Sequence, residues 1–368
     1  MGNKLDIAFF GSSIVSAFWN GAATYYRGII KELASRGHRI SFFEPQAFDR
    51  QEHKDFVDID YVKSIVYNAD NDGVGSVIKQ AGNFDVIIKA SGVGVYDSFL
   101  EQELLGYQTR QRAIFFWDVD APATLDRIGN DPNDKFRELI GMYDAVLTYG
   151  GGQKVVDAYK KFGAKRCYPV YNALDPDTHF PVPSDARFET TLGFLGNRLP
   201  DREERVMEFF FKPASILPKK LFLLGGNGWE SNTEKLVNVR KTGHIYTHEH
   251  NSFNSSVLAV LNVNRNSMAS YGFSPPTRIF EAAGAGACII TDKWDGIEMF
   301  LEPERECLVA ENGDQVAEYL KELTFTDAKK IGKAARARIL REHTYKKRAQ
   351  LVENVLLGSK KINMEVSF

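Results

Sequence analysis

The feature that most constrains the fold is a repeated alternation between short apolar runs and segments with helical spacing. Each apolar run ends in glycine or polar residues, and apolar positions three and four apart often follow it. In the first series the runs are 7–10, a run that begins at 39, and then 85–89, 113–117 and 145–148. In the second series they are 192–195, 221–224, 257–263 and 288–291. This alternation predicts parallel sheets covered by helices on both faces.

The runs form two series, which predicts two Rossmann-like α/β domains. A length of 368 residues exceeds one ordinary domain. We expect an N-terminal acceptor-side domain over 1–171, a C-terminal donor domain over 172–345, and a helical segment, 346–368, that crosses back to the first domain. Ligands of parallel sheets bind at the carboxyl ends of the strands, so we expect the two sheets to face a central cleft that holds the site.

Composition narrows the class of protein. Lys+Arg 46 against Asp+Glu 48 gives a net charge of −2, which predicts no nucleic-acid partner. No window approaches the roughly 20 apolar residues of a membrane span. The three cysteines are far apart without metal-ligand spacing, which favours buried reduced thiols in a cytoplasmic protein.

The stretch SPPTRIFEAAGAGACIITD, 274–292, carries the most informative charges. Two prolines favour the first turn of a helix, and Arg278 and Glu281 follow three residues apart on one face. Arginine offers a planar fork of donors to phosphate oxygens, and a carboxylate can accept from the vicinal diol of a ribose. The alternative is that the two side chains form an ordinary surface ion pair.

Two glycine-containing turns are candidate anion cradles, because backbone N–H groups at a helix N-terminus attract phosphate. One is Gly196-Asn197-Arg198, with Arg202 and Arg205 shortly after it, and the other is 293–298. Together with the diol acceptor they suit a nucleotide-diphosphate ligand.

Asp118 and Asp120 are the candidate catalytic residues. They follow the apolar run 113–117. Because they are two residues apart, their side chains would point to the same face of an extended chain. A carboxylate there could remove the proton from an acceptor hydroxyl. The alternative is that one caps the next helix while the other orients a loop.

No metal or cofactor is predicted. His244, His248 and His250, with Glu249 beside them, fit no strong zinc pattern, and a loop lining a base pocket is the preferred interpretation. The chain has neither a G-x-G-x-x-G fingerprint nor a GKS or GKT loop. The basic run 329–348 is interpreted as a solvated helix face, with a membrane or partner surface as the alternative.

The sequence resembles GT-B glycosyltransferases. It resembles more closely the CgeB-type bacterial glycosyltransferases, a family named after a spore-coat maturation protein. The segments that carry the resemblance are SAFWNGAATYYRGIIKELASRGHRISFFE, FFWDVDAPATLDR, LTYGGGQKVVDAY, YNALDPDTHFPV, LGFLGNRLPDREERV, LLGGNGW and YGFSPPTRIFEAAGAGACIITDKWDGIEMFLEP.

The resemblance implies a metal-independent transferase that moves a sugar from a nucleotide-diphosphate donor, UDP-linked by expectation, to a hydroxyl acceptor. Glu281 resembles the ribose-binding glutamate. The resemblance implies that the diphosphate is contacted by Arg278, Arg198 and the turn Asp295, Gly296 and Ile297. It implies that the base is held by the loop 243–246, with His244 and Tyr246. It also implies that the acceptor binds at Gly11, Ser12, Asn20, Ser91, Gly92 and the loop after Trp117.

The chain departs from the family pattern at one position. Many retaining relatives carry a glutamate eight positions before the ribose-binding one, where this chain has Phe273, so retention and inversion both remain open. The alternative functions are a sugar-nucleotide epimerase or hydrolase on the same scaffold, and a non-catalytic nucleotide-sugar-binding protein.

Overall fold

The computed structural model describes residues 4–18, 20–57, 59–229 and 236–365, with the backbone alone for 360–365. The chain divides into two compact units, one of Met1–Tyr171 with Tyr345–Phe368 and one of Asn172–Thr344. Each unit contains one parallel sheet, of seven strands in the first and six in the second. The prediction of two parallel-sheet α/β domains is therefore confirmed.

The strands of the first sheet are β1 (Asp6–Phe10), β2 (Arg39–Gln46), β3 (Lys63–Asn68), β4 (Val86–Ala90), β5 (Ala113–Asp118), β6 (Ala145–Thr148) and β7 (Cys167–Pro169). Those of the second are β8 (Leu192–Leu195), β9 (Phe222–Gly225), β10 (Val239–Gly243), β11 (Ala259–Asn262), β12 (Ile289–Asp292) and β13 (Leu308–Ala310).

The α-helices are α1 (Ala23–Ser35), α2 (Asn71–Gln80), α3 (Asp97–Glu103), α4 (Ala121–Asn130), α5 (Phe136–Leu139), α6 (Gly152–Lys161), α7 (Pro200–Val206), α8 (Lys212–Ile216), α9 (His250–Ser256), α10 (Asn266–Tyr271), α11 (Thr277–Gly284), α12 (Gly313–Glu322), α13 (Phe325–Glu342) and α14 (Tyr345–Glu365). A π-helical turn, Met207–Phe211, joins α7 to α8. Short 3-10 helices lie at Ala81–Asn83, Leu104–Tyr107, Ile140–Met142, Thr247–Glu249 and Ile297–Met299.

The six strands of the second sheet repeat the order of β1 to β6 in the first sheet, which has β7 as an additional edge strand. The first runs β3-β2-β1-β4-β5-β6-β7 and the second runs β10-β9-β8-β11-β12-β13. The chain winds outward in one direction from the first strand of each sheet, returns to the middle, and then winds outward in the other direction. This doubly wound order creates a switch point between β1 and β4 and another between β8 and β11, where loops separate and a ligand can enter.

The central strands are buried on both faces, which explains their uninterrupted apolar sequences. All residues of β4 and β5 are buried, and so are those of β11 and β12. Helix α14 packs on α1 within the first unit, where a Cβ at Gly28 would lie 2.2 Å from the Tyr345 ring. In the part of the chain that is described, no helix combines the length and apolar character needed to cross a membrane.

Candidate functional site

Arg278 lies at the switch point of the second sheet. Its Nε and Nη2 donate hydrogen bonds to the Leu195 carbonyl at 2.9 and 2.6 Å, and its Nη1 donates to Asn262 Oδ1 at 2.9 Å. One side chain thus joins the carboxyl ends of β8 and β11. Arg278 and Glu281 form no ion pair within 4.0 Å, so the alternative of an ordinary surface pair is wrong for these two described residues.

A second guanidinium lies beside the first. Arg278 and Arg202 both stack on the ring of Phe194, at 4.9 and 5.5 Å from its centroid. A Cβ at Gly196 would lie 2.8 Å from Arg278 Nη2 and 3.0 Å from Arg202 Nη2, so this glycine leaves room for both. Arg202 donates to the Asn197 carbonyl, while its buried Nε has no partner among the described residues.

Neither guanidinium group forms an ion pair within 4.0 Å with a described residue. Burial, together with the neighbouring cations Arg278 and Arg265, lowers the pKa of Arg202 to about 9. Burial also lowers the pKa of Arg278 to about 10, although Glu281 and Asp292 oppose the shift. Desolvation and mutual repulsion both disfavour the charged forms, so an anion at this position would be strongly stabilised.

The predicted turn at Gly196 is locked to the turn after β9. Gly196 N–H donates to the Gly225 carbonyl at 3.0 Å, and Asn227 N–H donates to Asn197 Oδ1 at 3.0 Å. Gly226 has φ 116, and a Cβ there would lie 2.4 Å from the Gly196 carbonyl oxygen. Only glycine permits this close approach of two loops.

Arg198 points its guanidinium at Glu203, with Nη2 and Oε1 2.5 Å apart. This ion pair raises the pKa of Arg198 and lowers that of Glu203. The arginine predicted to contact phosphate therefore has a carboxylate partner, and a phosphate would have to exchange with it. Arg202, which the sequence analysis named only as a follower of this turn, is the less satisfied cation.

The turn with Asp295, Gly296 and Ile297 packs against the loop before α11. Phe273 N–H donates to the Asp295 carbonyl at 2.6 Å. Gly296 has φ 92 and precedes the 3-10 helix Ile297–Met299, and a Cβ there would lie 2.3 Å from the Phe273 ring. Phe273 itself has φ 47. The residue that replaces the missing family glutamate is therefore a packing element of this turn.

Glu281 projects from α11 toward two imidazoles. Its Oε1 lies 3.7 Å from His179 Nε2, and its Oε2 lies 4.0 Å from His250 Nδ1. His179 is buried, whereas the Glu281 side chain retains 18% of its exposure. Burial lowers the pKa of His250, although Glu281 opposes the shift. His179 could not be predicted from the sequence, because it lies 102 positions from Glu281 in a segment without a ligand pattern.

The segment 243–246 continues from the edge strand β10. Ile245 is buried, and Tyr246 is exposed with its ring edge-on to that of His244, 4.7 Å between centroids. The Ile245 carbonyl accepts a hydrogen bond from His250 Nε2 at 3.3 Å. The segment predicted to hold a base is thus linked to the Glu281 cluster through His250.

In the first unit, Asn20 organises the loop after β1. Ser12 Oγ donates to Asn20 Oδ1 at 2.9 Å, and Asn20 Nδ2 donates to the carbonyls of Ser13 and Ser16, both at 2.9 Å. A Cβ at Gly11 would lie 2.4 Å from the Phe42 ring. These residues shape the loop, and their contact with an acceptor stays a prediction.

Arg50 was missed by the sequence analysis, since it lies in a polar segment without a motif. Its Nη1 donates to the carbonyls of Ser12 and Val93, both at 3.3 Å, so it joins the loops after β1 and β4. Ser91 and Gly92 begin the second of these loops, with Gly92 at φ 66. Arg50 therefore occupies the switch point of the first sheet as Arg278 does in the second.

Asp118 is buried at the end of β5 and accepts hydrogen bonds from four donors. They are Ser91 Oγ at 2.7 Å, Asp120 N–H at 3.0 Å, Thr124 Oγ1 at 3.1 Å and the Tyr159 hydroxyl. Burial raises the pKa of Asp118, although the hydrogen bonds from Tyr159, Ser91 and Asp120 oppose the shift. The geometry fits the alternative role of orienting the loop.

Asp120 is only partly buried. It is the N-cap residue of α4 but makes no side-chain hydrogen bond to the first turn, so the capping interaction is not formed. Between the two aspartates, Asp120 has the greater access to solvent.

A family model described as glycosyl transferase-like matches residues 202–354. No curated protein matches the sequence. Among solved structures, the sucrose-phosphate synthase of Thermosynechococcus elongatus is 13% identical with a TM-score of 0.68, over 96% of this chain and 99% of that one. Anabaena Alr3699/HepE in complex with UDP-glucose is 14% identical with a TM-score of 0.68, over 96% and 100%.

An alpha-glucosyltransferase in complex with UDP-glucose and DNA containing an abasic site is 12% identical with a TM-score of 0.70, over 96% and 100%. These identities relate the folds. The chain therefore has the two-domain fold of the GT-B glycosyltransferases, and its residues 202–354 match the glycosyl transferase-like family.

Proposed function

We propose that the protein transfers a sugar from a UDP-sugar donor to a hydroxyl acceptor. The observation that carries this proposal is the pair of desolvated cations, Arg202 and Arg278, at the switch point of the second sheet. A carboxylate, Glu281, lies on the same helix as Arg278. Pyrophosphate and ribose are the two parts of a nucleotide sugar that these groups recognise. The family match and the UDP-glucose complexes of two neighbours support the same donor class.

The leaving group of such a transfer is UDP, on which negative charge develops as the bond to the sugar breaks. Donors fixed before the reaction stabilise that charge without reorganisation. Arg278 is fixed by Leu195 and Asn262, and Arg202 by the Asn197 carbonyl. The guanidinium of Arg202, whose buried Nε has no partner among the described residues, is the group that we assign to the pyrophosphate, with the amides at Gly296 and Ile297 as further candidates. No metal takes part in this step.

We assign the base to Asp120, because Asp118 is enclosed by its four donors. Asp120→Asn should abolish transfer while UDP binding remains at the wild-type level. Asp118→Asn should instead reduce stability along with activity. Equal transfer by Asp120→Asn and wild type would remove the assignment.

The acceptor class is proposed from the loops of the first unit and from the net charge of the chain. The loops of the first unit with Ser12, Asn20, Ser91 and Gly92 are proposed to receive an acceptor other than nucleic acid, because the net charge of −2 offers no general attraction to a polyanion. One neighbour was solved with DNA, so a short DNA duplex belongs among the acceptors tested.

The testing experiment is a thermal-shift panel of nucleotides and UDP-sugars, because ligands of the native state raise its melting temperature. We expect UDP and at least one UDP-sugar to stabilise the protein more than AMP or inorganic phosphate. Products formed from that UDP-sugar are then followed by NMR with and without acceptors. Rapid epimer or free-sugar formation without an acceptor would replace transfer by epimerisation or hydrolysis.

A further inference from the structure

Two imidazole nitrogens and one carboxylate converge in the second unit, and no other described residue donates a hydrogen bond to them. The atoms are Nε2 of His179, Nδ1 of His250 and the carboxylate of Glu281, and all lie within 4.8 Å of one another. Both nitrogens are buried without a partner among the described residues. Buried polar atoms are normally satisfied, so this convergence requires an explanation.

The tautomer of each imidazole is set by its outer partner. The Thr178 hydroxyl lies 3.1 Å from the Asp175 carbonyl and 2.9 Å from His179 Nδ1, and when it donates to the carbonyl it accepts from Nδ1. The Ile245 carbonyl can only accept, so His250 Nε2 carries the proton. In these tautomers each ring presents a lone pair toward Glu281. Outer hydrogen bonds of this kind are typical of metal-binding histidines.

The backbone around the cluster is held in place by Asn251. Its Oδ1 accepts from Phe180 N–H at 3.2 Å, and its Nδ2 donates to the Thr178 carbonyl at 2.9 Å, on either side of His179. Gly284 admits the same segment against α11, since a Cβ there would lie 2.9 Å from the His179 carbonyl oxygen. The two histidines are thus positioned by elements other than Glu281.

We propose that His179, His250 and Glu281 bind one zinc ion when no nucleotide is bound. Two imidazoles and one carboxylate form a known zinc ligand set, with water in the fourth position. A ribose diol has only two hydroxyl hydrogens for these acceptors, whereas a cation satisfies all of them. A tetrahedral ion with bonds of about 2.0–2.1 Å holds its ligand atoms about 3.4 Å apart. His179 Nε2 lies 3.7 Å from Glu281 Oε1, His250 Nδ1 lies 4.0 Å from Oε2, and the group spans up to 4.8 Å, so side-chain rotations must draw the three ligands together around the ion.

Zinc and nucleotide should exclude each other, a corollary that rests on the proposed function because Glu281 is assigned to the ribose. Zinc is then a competitor of the donor and takes no part in transfer.

The test is calorimetric titration of the metal-free full chain with zinc chloride at pH 7.5, without nucleotide. One ion per chain is expected. His179→Gln and His250→Gln should each weaken zinc at least about tenfold, since even loss of an outer partner costs about 10–100-fold. His248→Gln is the matched control, because His248 is exposed in the same region and lies outside the cluster, so it should bind like wild type.

Cobalt absorption provides a readout that does not depend on the variants folding. The cobalt-loaded wild type should give the visible bands of a four-coordinate nitrogen and oxygen site without thiolate charge transfer, since the described cysteines are buried. Absence of zinc binding, equal binding by the cluster variants, or a thiolate spectrum would overturn the site. Zinc binding that persists at saturating UDP would overturn only the mutual exclusion.

Discussion

The guanidinium of Arg278 donates two hydrogen bonds to the Leu195 carbonyl, at 2.9 and 2.6 Å. This carbonyl ends β8, and Asn262, the third partner of Arg278, ends β11. The residue that the resemblance assigned to phosphate therefore also fastens the two strands that flank the switch point. Its proposed binding role and its structural role both depend on the planar guanidinium group.

Replacement of Arg278 should affect both roles. Arg278→Lys keeps the charge but cannot bridge Leu195 and Asn262 together. With hydrogen bonds of a charged group at about 1.5–3 kcal/mol each, we expect Arg278→Met to lose about 2 kcal/mol of stability. That loss corresponds to a melting temperature about 4–8 °C lower. Differential scanning calorimetry measures it. A melting temperature equal to that of wild type would contradict the strand-joining role.

Arg202 and Arg278, which form no ion pair with a described residue, predict stabilisation of the protein by anions. Pyrophosphate should raise the melting temperature of wild type, because an anion offsets the repulsion between Arg202 and Arg278. Arg202→Gln should lose most of this increase, whereas Arg110→Gln, at an exposed position of the first unit, should keep it. Equal increases in wild type and Arg202→Gln would place the anion elsewhere.

The close approach at Gly226 predicts a large effect from one methyl group. Gly226→Ala combines φ 116 with a Cβ 2.4 Å from the Gly196 carbonyl oxygen and should cost about 2–3 kcal/mol. Gly129→Ala is the control, because Gly129 lies in α4 with nothing within 4 Å of a new Cβ. That change should add about 0.5–1 kcal/mol through helix propensity. Thermal unfolding of the two variants in parallel compares them, and similar shifts would refute the steric argument.

Asp118 predicts a pH dependence of stability. Burial raises its pKa above the ordinary value of 3.8, so the folded protein binds this proton more tightly than the unfolded chain. The stability contribution is complete below pH 3.8 and is lost as pH rises through the raised pKa. Asp118→Asn should flatten this part of the profile measured by urea unfolding.

Tyr159→Phe provides a second variant for this dependence. It removes a donor to the ionised Asp118 and should shift the loss of stability to higher pH. Coincident profiles for wild type and both variants would show that Asp118 does not carry a raised pKa.

The sequence predicted the central strands because burial on both faces requires continuous apolar runs. The four strands that it did not predict, β3, β7, β10 and β13, are the edges of the two sheets. β10 has the sequence VRKTG with no buried residue, and β7 is only three residues long. Edge strands take their conformation from one neighbour and need little apolar sequence.

Some residues of the candidate site could be predicted from the sequence, and others could not. Arg278 and Glu281 could be predicted because both lie in one local pattern on α11. The partnership of Glu281 with His179, the position of Arg50, and the pairing of Arg198 with Glu203 depend on packing or on local rotamers, which carry no periodic signal. The histidine group considered in the sequence contributes only His250 to the observed cluster.

The most direct measurement of the central claim compares UDP with 2′-deoxy-UDP by calorimetry, for wild type and Glu281→Gln. A hydrogen bond to a carboxylate contributes about 1.5–3 kcal/mol, or about 10–100-fold in affinity. If Glu281 accepts from the ribose, wild type prefers UDP by about that factor and Glu281→Gln loses the preference. An equal preference in both proteins, or UDP binding unchanged by the substitution, would contradict the assignment of Glu281 to the nucleotide.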